Sequence, residues 1–442
     1  MNSVDPVENY KNQTTAGNYF VSNYPPYSFW KTNRISEAFD ALEKQSAVDT
    51  PLGIYLHIPF CRKRCHFCYF KVYTNNDAAM LENYISSMIT EMTLYSKKTS
   101  ITGRTPKFVY FGGGTPSYLS SRQLISLTEA LKDKVSWDDA DEITFECEPG
   151  TLTENKLDGI RNIGVTRLSL GVENFNDELL KGNGRAHGSK EIDKAYRLAR
   201  LIGFPQVNID LIAGMVGETN ENWKKCIEKT IDLEPDSVTI YQMEIPFNTT
   251  VFQEMKVAGQ EVAPVADWQT KRRWVNEAFE RLEASGYTIT SAYTAVKNPA
   301  ETRFLYRDFL WTGADLIGLG VASFSHVGGT NYQNQQELSE YKDSLSAGRL
   351  PIYRALTPSI EERLIRELIL QLKLGEVQPS YFLKKFKIDV NKRFSSALSY
   401  LQSQNYIDVG NDNWSLRREG LLQVDNLLAE FFLEKHQNSR YT

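Results

Sequence analysis

The 442-residue sequence has only five cysteines, too few for the disulfide framework that holds small secreted domains together. It has no excess of positive charge: 50 Lys and Arg face 55 Asp and Glu, a formal net charge of −5. That balance argues against a protein held to nucleic acid mainly by phosphate contacts. No stretch reaches about 18 consecutive apolar residues, the length a membrane-spanning helix needs. The opening MNSVDPVENYKNQ has neither the basic start nor the apolar run of a secretory signal, so a cytoplasmic location is expected. No internal repeat or low-complexity tract is present. What remains is an ordinary globular composition, 41% hydrophobic and 24% charged. Its length corresponds to about three domain equivalents. Against that background three of the five cysteines, Cys61, Cys65 and Cys68, fall within eight positions.

Residues 1–50 read as a polar, aromatic extension, with a proline pair in NYPPYSFW and one short helix over 38–46. From 51 to 260, short apolar β-rich runs alternate with longer amphipathic ones. Strands are expected at 54–60, 107–111, 142–146, 167–172, 206–213 and 237–243. Six β–α alternations imply parallel strands joined by right-handed crossovers. The expected fold is therefore α/β, an open or partial (β/α)6 TIM-like barrel, with ligands gathered at the strand C-termini. Residues 261–356 extend it with a long helix, strands around 287–293 and the glycine-rich run WTGADLIGLGVASFSHVGGTNYQN. Residues 357–442 read as helices followed by a short two-stranded wing, a winged-helix-like module. Its NKRFSSALSYLQ segment carries only two basic residues, so a packing or lid role is favoured over nucleic-acid binding.

The cysteines stand in IYLHIPFCRKRCHFCYF, directly after the first strand, at spacing C-x3-C-x2-C. Three thiols from one loop suit an iron–sulfur cluster that keeps one position open. Zinc held as Cys3His, with His57 or His66, is the competing arrangement, although no second C-x2-C pair exists. Buried thiols packed as small hydrophobes are the bland alternative, at odds with the flanking Arg and Lys. Gly112, Gly113 and Gly114 follow the second strand and let the backbone approach a ligand, or simply make a tight turn. Asp210 lies in an otherwise apolar strand, where an acid is costly without a partner. Cys147 and Cys226 read as structural: strand alternation turns the first away from Glu146, and the second lies in a helix.

The C-x3-C-x2-C loop resembles the signature of the radical S-adenosylmethionine superfamily. YLHIPFC, FGGGTPSYL, FECEPGTL, RLSLGVENFNDELLKGNGRAH, NIDLIAGM and IGLGVASFSH occur in the order seen in the oxygen-independent coproporphyrinogen III oxidase family. The resemblance covers nearly the whole chain. It implies a [4Fe–4S] cluster on Cys61, Cys65 and Cys68, with S-adenosylmethionine chelated by the fourth iron. It also implies one-electron cleavage to a 5′-deoxyadenosyl radical, and a low-potential electron donor such as flavodoxin or ferredoxin. The implied substrate is a small molecule, a tetrapyrrole, whose propionate is decarboxylated to vinyl. Relatives of this architecture also use a second S-adenosylmethionine in methylation or cyclopropanation, or act as heme chaperones.

By the same resemblance, Gly113, Gly114 and Thr115 meet the methionyl amino group. Glu146 holds the cofactor, Arg185 pairs with its carboxylate, and Asp210 lies near the ribose or adenosyl group. Tyr55 and Phe67 pack near cofactor and cluster, with simple core packing as the alternative. Phe324, Ser325 and His326 are expected to line the second-cofactor pocket, and strand–loop packing is their alternative. His187 matches a position shared with the chaperone branch, with a structural hydrogen bond as its plainer role. Two positions depart from the family. Phe70 stands where a further cysteine is usual, and Glu173 where glutamine is common. Tyr55 and Glu173 are the candidates for catalytic roles.

Overall fold

The computed structural model describes residues 13–17, 19–47, 49–437 and 439. Six parallel strands form its centre: β1 (Leu52–Ile58), β2 (Phe108–Gly113), β3 (Glu142–Cys147), β4 (Arg167–Glu173), β5 (Gln206–Ala213) and β6 (Ser237–Gln242). Their residues are almost all buried, as expected for strands covered on both faces. Helices such as Ala78–Tyr95, Ser121–Lys132 and Ser189–Ile202 return the chain from each strand to the next. Ser120 caps the second of these with a reciprocal Gln123 bond, and Gly203 ends the third in the left-handed region at φ 80°.

The sheet does not close. β1 pairs on its other side with parallel β9 (Asp315–Leu319), after which β10 (Phe324–Val327), β11 (Thr330–Asn334) and β12 (Ile352–Leu356) continue antiparallel. Beyond β6 lie β8 (Thr294–Val296) and β7 (Thr288–Ile289). The open α/β barrel expected from the alternation is therefore present, within a 12-stranded sheet. Three expectations need correction. The strands expected around 287–293 are short and lie at Thr288–Ile289 and Thr294–Val296, with a bend over 291–293 between them. The C-terminal wing has three strands, with Glu376–Val377 joining Ile407–Val409 and Trp414–Leu416. The short early helix runs over Ile35–Leu42, three residues before its expected start.

The main apolar core lies between this sheet and its helices. A second core lies inside the C-terminal module and takes in Val21 and Tyr24 from the N-terminal arm. Among the described residues no helix is long and apolar enough to cross a membrane.

Candidate functional site

The C-terminal ends of the central strands open into a cavity of about 480 Å³. After β1 the chain passes through Pro59 and Phe60 into the cysteine loop. That loop is pinned by the Cys61 amide on the Tyr73 carbonyl (3.0 Å) and by the His66 amide on the Asn183 carbonyl (3.1 Å). Cys61, Cys65 and Cys68 all border the cavity, and none is in a disulfide. Thr115 donates to the Cys61 sulfur at 3.3 Å, and Arg185 donates to the Cys65 sulfur at 3.3 Å. Burial raises the Cys61 thiol and pushes Cys68 up to about 12. Both are neutral thiols at pH 7, and metal coordination is what would remove their protons.

Glycines bring the next strand end against this loop. A Cβ on Gly114 would lie 2.9 Å from the Pro59 carbonyl carbon and 3.0 Å from the Cys61 sulfur. One on Gly113, at φ 114°, would meet the His57 ring at 2.8 Å. No side chain fits there, so the glycine turn can present bare backbone to a ligand. Below it, Glu146 accepts from the Tyr110 hydroxyl (2.6 Å) and the Gly113 amide (3.1 Å). Burial nevertheless raises its carboxyl to about 7.

Glu173 sits at a bulge in the β4–β5 register with φ 63°, a conformation rarely taken by a residue with a side chain. Its carboxylate lies 3.4 Å from Arg185, and burial raises it to about 7. Arg185 also donates to the Gly171 carbonyl at 2.6 Å, while its Nε is buried without a hydrogen-bond partner. Burial opposes its charge, but Cys65 and Glu173 together raise its pKa. Asp210 is held by Ser169 (2.8 Å) and Asn208 (2.9 Å), which answers the cost of an acid in that strand. Burial raises it as well.

The cavity thus brings together Cys61, Cys65, Cys68, Phe67, Gly113, Gly114, Thr115, Glu146, Glu173, Arg185 and Asp210. Tyr55 is not on its wall: the ring stacks on Tyr110, centroids 5.8 Å apart, and its hydroxyl meets His57 Nδ1 at 3.2 Å. The expectation for Phe324, Ser325 and His326 is not met at this cavity either. Phe324 packs on Tyr27 and Trp30, the buried Ser325 hydroxyl accepts from the Gly318 amide at 2.9 Å, and His326 pairs with Asn331 at 2.7 Å. The Ser325 hydroxyl and the His326 Nδ1 are thus engaged within the β9–β11 ladder.

Other wall residues were not singled out by sequence. Glu148 takes a two-pronged contact from Arg62 (2.7 and 3.0 Å) and a bond with His187 Nδ1 at 3.0 Å. These partners outweigh burial and hold its carboxyl at about 2. The available signal was its spacing two residues after Glu146, which places both acids on one side of the strand end. His187 therefore has the structural hydrogen bond of its plainer reading. Cys147 borders the cavity too, and burial keeps its thiol neutral. The wall also takes in Tyr19 and Phe20, Tyr69 and Phe70, Tyr241, Glu244, Trp268, Arg272, Tyr293 and the stretch 421–426.

The donor set fits a cluster better than a single ion. Among the described residues no three His, Cys, Asp or Glu side chains come close enough to share one metal ion. A mononuclear zinc site, with bonds of about 2.3 Å to sulfur, demands such a tight group. Three thiolates on three different irons span more space. His57 is turned to Tyr55 and does not border the cavity.

Residues 55–230 match the family model described as the radical SAM superfamily. The chain is 27% identical over 399 residues to the oxygen-independent coproporphyrinogen III oxidase of Helicobacter pylori, covering 86% of each chain. It is 26% identical over 382 residues to the heme chaperone HemW of Bacillus subtilis, covering 86% of this chain and 99% of that one. The solved coproporphyrinogen III oxidase of Escherichia coli has the same fold, with a TM-score of 0.81, 23% identity, and coverage of 95% of this chain and 99% of that one.

Proposed function

We propose that this chain, similar to both the oxygen-independent coproporphyrinogen III oxidases and the HemW heme chaperones, is a radical SAM enzyme and acts on a tetrapyrrole. The reaction is abstraction of a hydrogen atom from a propionate side chain. The resulting substrate radical gives one electron to an external electron acceptor and loses carbon dioxide, leaving a vinyl group. The observation that carries this reading is one cavity in which three free thiols, a bare glycine turn and buried charged groups face an aromatic wall.

The radical SAM domain implies a [4Fe–4S] cluster and S-adenosylmethionine. Together these supply, when bound, one-electron reductive cleavage and a hydrogen-abstracting radical. In this reading Cys61, Cys65 and Cys68 hold the cluster, leaving one iron without a protein ligand. Gly113 and Gly114 let the methionyl end approach, and Thr115 steadies Cys61. Arg185 and Glu173 present paired opposite charges to its amino and carboxylate groups, with Glu146 and Asp210 toward the rest of the cofactor. Phe67, Tyr69, Phe70 and Tyr241 shield the reacting space from water.

The test is anaerobic reconstitution with iron and sulfide, then dithionite, S-adenosylmethionine and coproporphyrinogen III. Expected are 5′-deoxyadenosine, carbon dioxide and a vinyl product. All three should vanish, together with the brown colour, when Cys61, Cys65 and Cys68 are replaced by Ala. Stable heme retention with no 5′-deoxyadenosine would instead support the chaperone reading, which rests on the near-complete coverage of HemW. Accumulation of S-adenosylhomocysteine would point to methyl transfer.

A further inference from the structure

Five cationic side chains border the cavity: Arg62, Lys63, Arg64, Arg185 and Arg272. Four have evident engagements. Arg62 is clamped on Glu148, and Arg64 donates to the Cys68 and Asn248 carbonyls at 3.1 and 2.8 Å. Arg185 is held by Glu173, Cys65 and the Gly171 carbonyl, and Lys63 stands exposed to water in the cysteine loop. Arg272 differs. It is half-buried, and among the described residues its side chain has no hydrogen bond and no ion pair, Tyr406 being the group that acts on its charge.

The acids on the same wall do not serve it. Asp425 is taken by Lys373 (2.7 Å), the Val21 amide (3.0 Å) and the Tyr293 hydroxyl. Glu244 accepts from the Tyr19 amide at 3.1 Å. Its neighbours along the helix, Lys271 and Arg273, are both cations, and Glu244 and Asp267 act on Lys271. Burial accordingly weakens the hold of Arg272 on its proton. Its guanidinium nitrogens stay open to the cavity with no protein acceptor, so a carboxylate entering there finds the donors free.

Its surroundings describe that ligand. The helix Trp268–Ala284, capped by Asp267, sets Trp268 and Arg272 one turn apart on one face. Tyr19 packs edge-on against Trp268 at 4.8 Å, and Tyr241 stacks on Tyr293 at 6.2 Å. Flat aromatic surfaces beside one unpaired planar cation suit a molecule of flat, largely apolar rings with a carboxylate at its edge. A guanidinium is the side chain that grips a carboxylate by two parallel bonds. We propose that Arg272 anchors a peripheral carboxylate of the substrate against the Tyr19–Trp268 wall, an assignment that rests on the tetrapyrrole reading above. Arg272 is thereby a substrate-binding and specificity residue, separate from the groups that hold the cofactor.

The test measures binding of coproporphyrin III and of its tetramethyl ester to the cluster-loaded protein by porphyrin fluorescence. Wild type, Arg272→Gln and Arg272→Lys are compared at equal iron content per chain, which controls for folding. Arg272→Gln should bind the free acid about 10- to 100-fold more weakly, as expected for a lost charge-assisted pair. Its affinity for the ester should equal that of wild type, and Arg272→Lys should fall between the two for the acid. Undiminished binding of the acid by Arg272→Gln overturns the assignment while leaving the tetrapyrrole reading standing. So does an equal loss for acid and ester, which would mark Arg272 as packing alone. If wild type binds neither porphyrin, the tetrapyrrole reading fails, and the assignment falls with it.

Discussion

Glu91 has no exposed surface, and it accepts from the Gly320 amide (2.8 Å), Asn334 (2.6 Å) and the Tyr341 hydroxyl (2.6 Å). Burial still outweighs these three donors and pushes its carboxyl up to about 8 from an ordinary 4.5. An acid whose pKa is higher folded than unfolded stabilises the fold fully below the unfolded value. That contribution is lost as pH rises through the folded one. Wild type should therefore lose stability relative to Glu91→Gln between about pH 4.5 and 8. Urea unfolding of both at pH 5 and pH 8 checks this, and parallel changes in the two proteins would refute it. The same balance explains the cavity acids: Glu146 and Glu173 are raised by burial, whereas hydrogen bonds from His187 and Arg62 hold Glu148 low. Sequence showed the three cysteines plainly, because thiol spacing within one loop is local. It could not show that Glu91, written into an amphipathic helix, is buried, since its three partners lie some 230 to 250 residues away.

The six central strands were legible as elements because both of their faces are buried and their apolar runs are nearly unbroken. Their ends were less so: β1 starts two residues before its expected position, as hydrophobic runs do not mark the first ladder bond. The two-residue strand of the wing carries too little pattern to be seen at all. Phe324 to His326 lie away from this cavity for a different reason. Ser and His after a glycine-rich run look like a ligand loop, yet antiparallel pairing turns their polar atoms into the sheet. Within β1 one glycine has a packing role that sequence alone leaves open. Gly53 pairs with Phe108 on β2, and a Cβ there would lie 2.0 Å from the Phe108 ring. That ring is itself fully buried and stacked on Phe309 at 5.4 Å, so it has little room to yield. Gly53→Ala should cost about 1–3 kcal/mol through overpacking, read as a lower thermal midpoint. An unchanged midpoint would mean that the β1–β2 contact is softer than its geometry implies.

Across the whole molecule, the cavity depends on segments that sequence order keeps far apart. The N-terminal arm, the turn before β8 and the C-terminal module meet at Asp425. Its carboxylate accepts from the Val21 amide, the Tyr293 hydroxyl and Lys373, whose side chain has no exposed surface. Lys373 also donates to the Val21 carbonyl at 2.6 Å and faces the Phe20 ring at 3.8 Å from its centroid. One buried pair therefore fastens three parts of the wall, and that wall carries Phe20, Tyr293 and the 421–426 stretch of the cavity. The attraction within such a pair is offset by the cost of drying both charges, so removing one partner alone is the damaging change. Asp425→Ala should destabilise the protein by about 3–5 kcal/mol, because Lys373 is left buried without its counter-charge. Replacing Lys373 by Met in the same chain should restore much of that loss, since no unpaired charge then remains. Chemical denaturation of wild type, both single variants and the double variant measures the coupling. If the double variant were as unstable as the sum of the singles, the junction would be a set of independent contacts, and the charge pair would not be what joins the N-terminal arm to the C-terminal module.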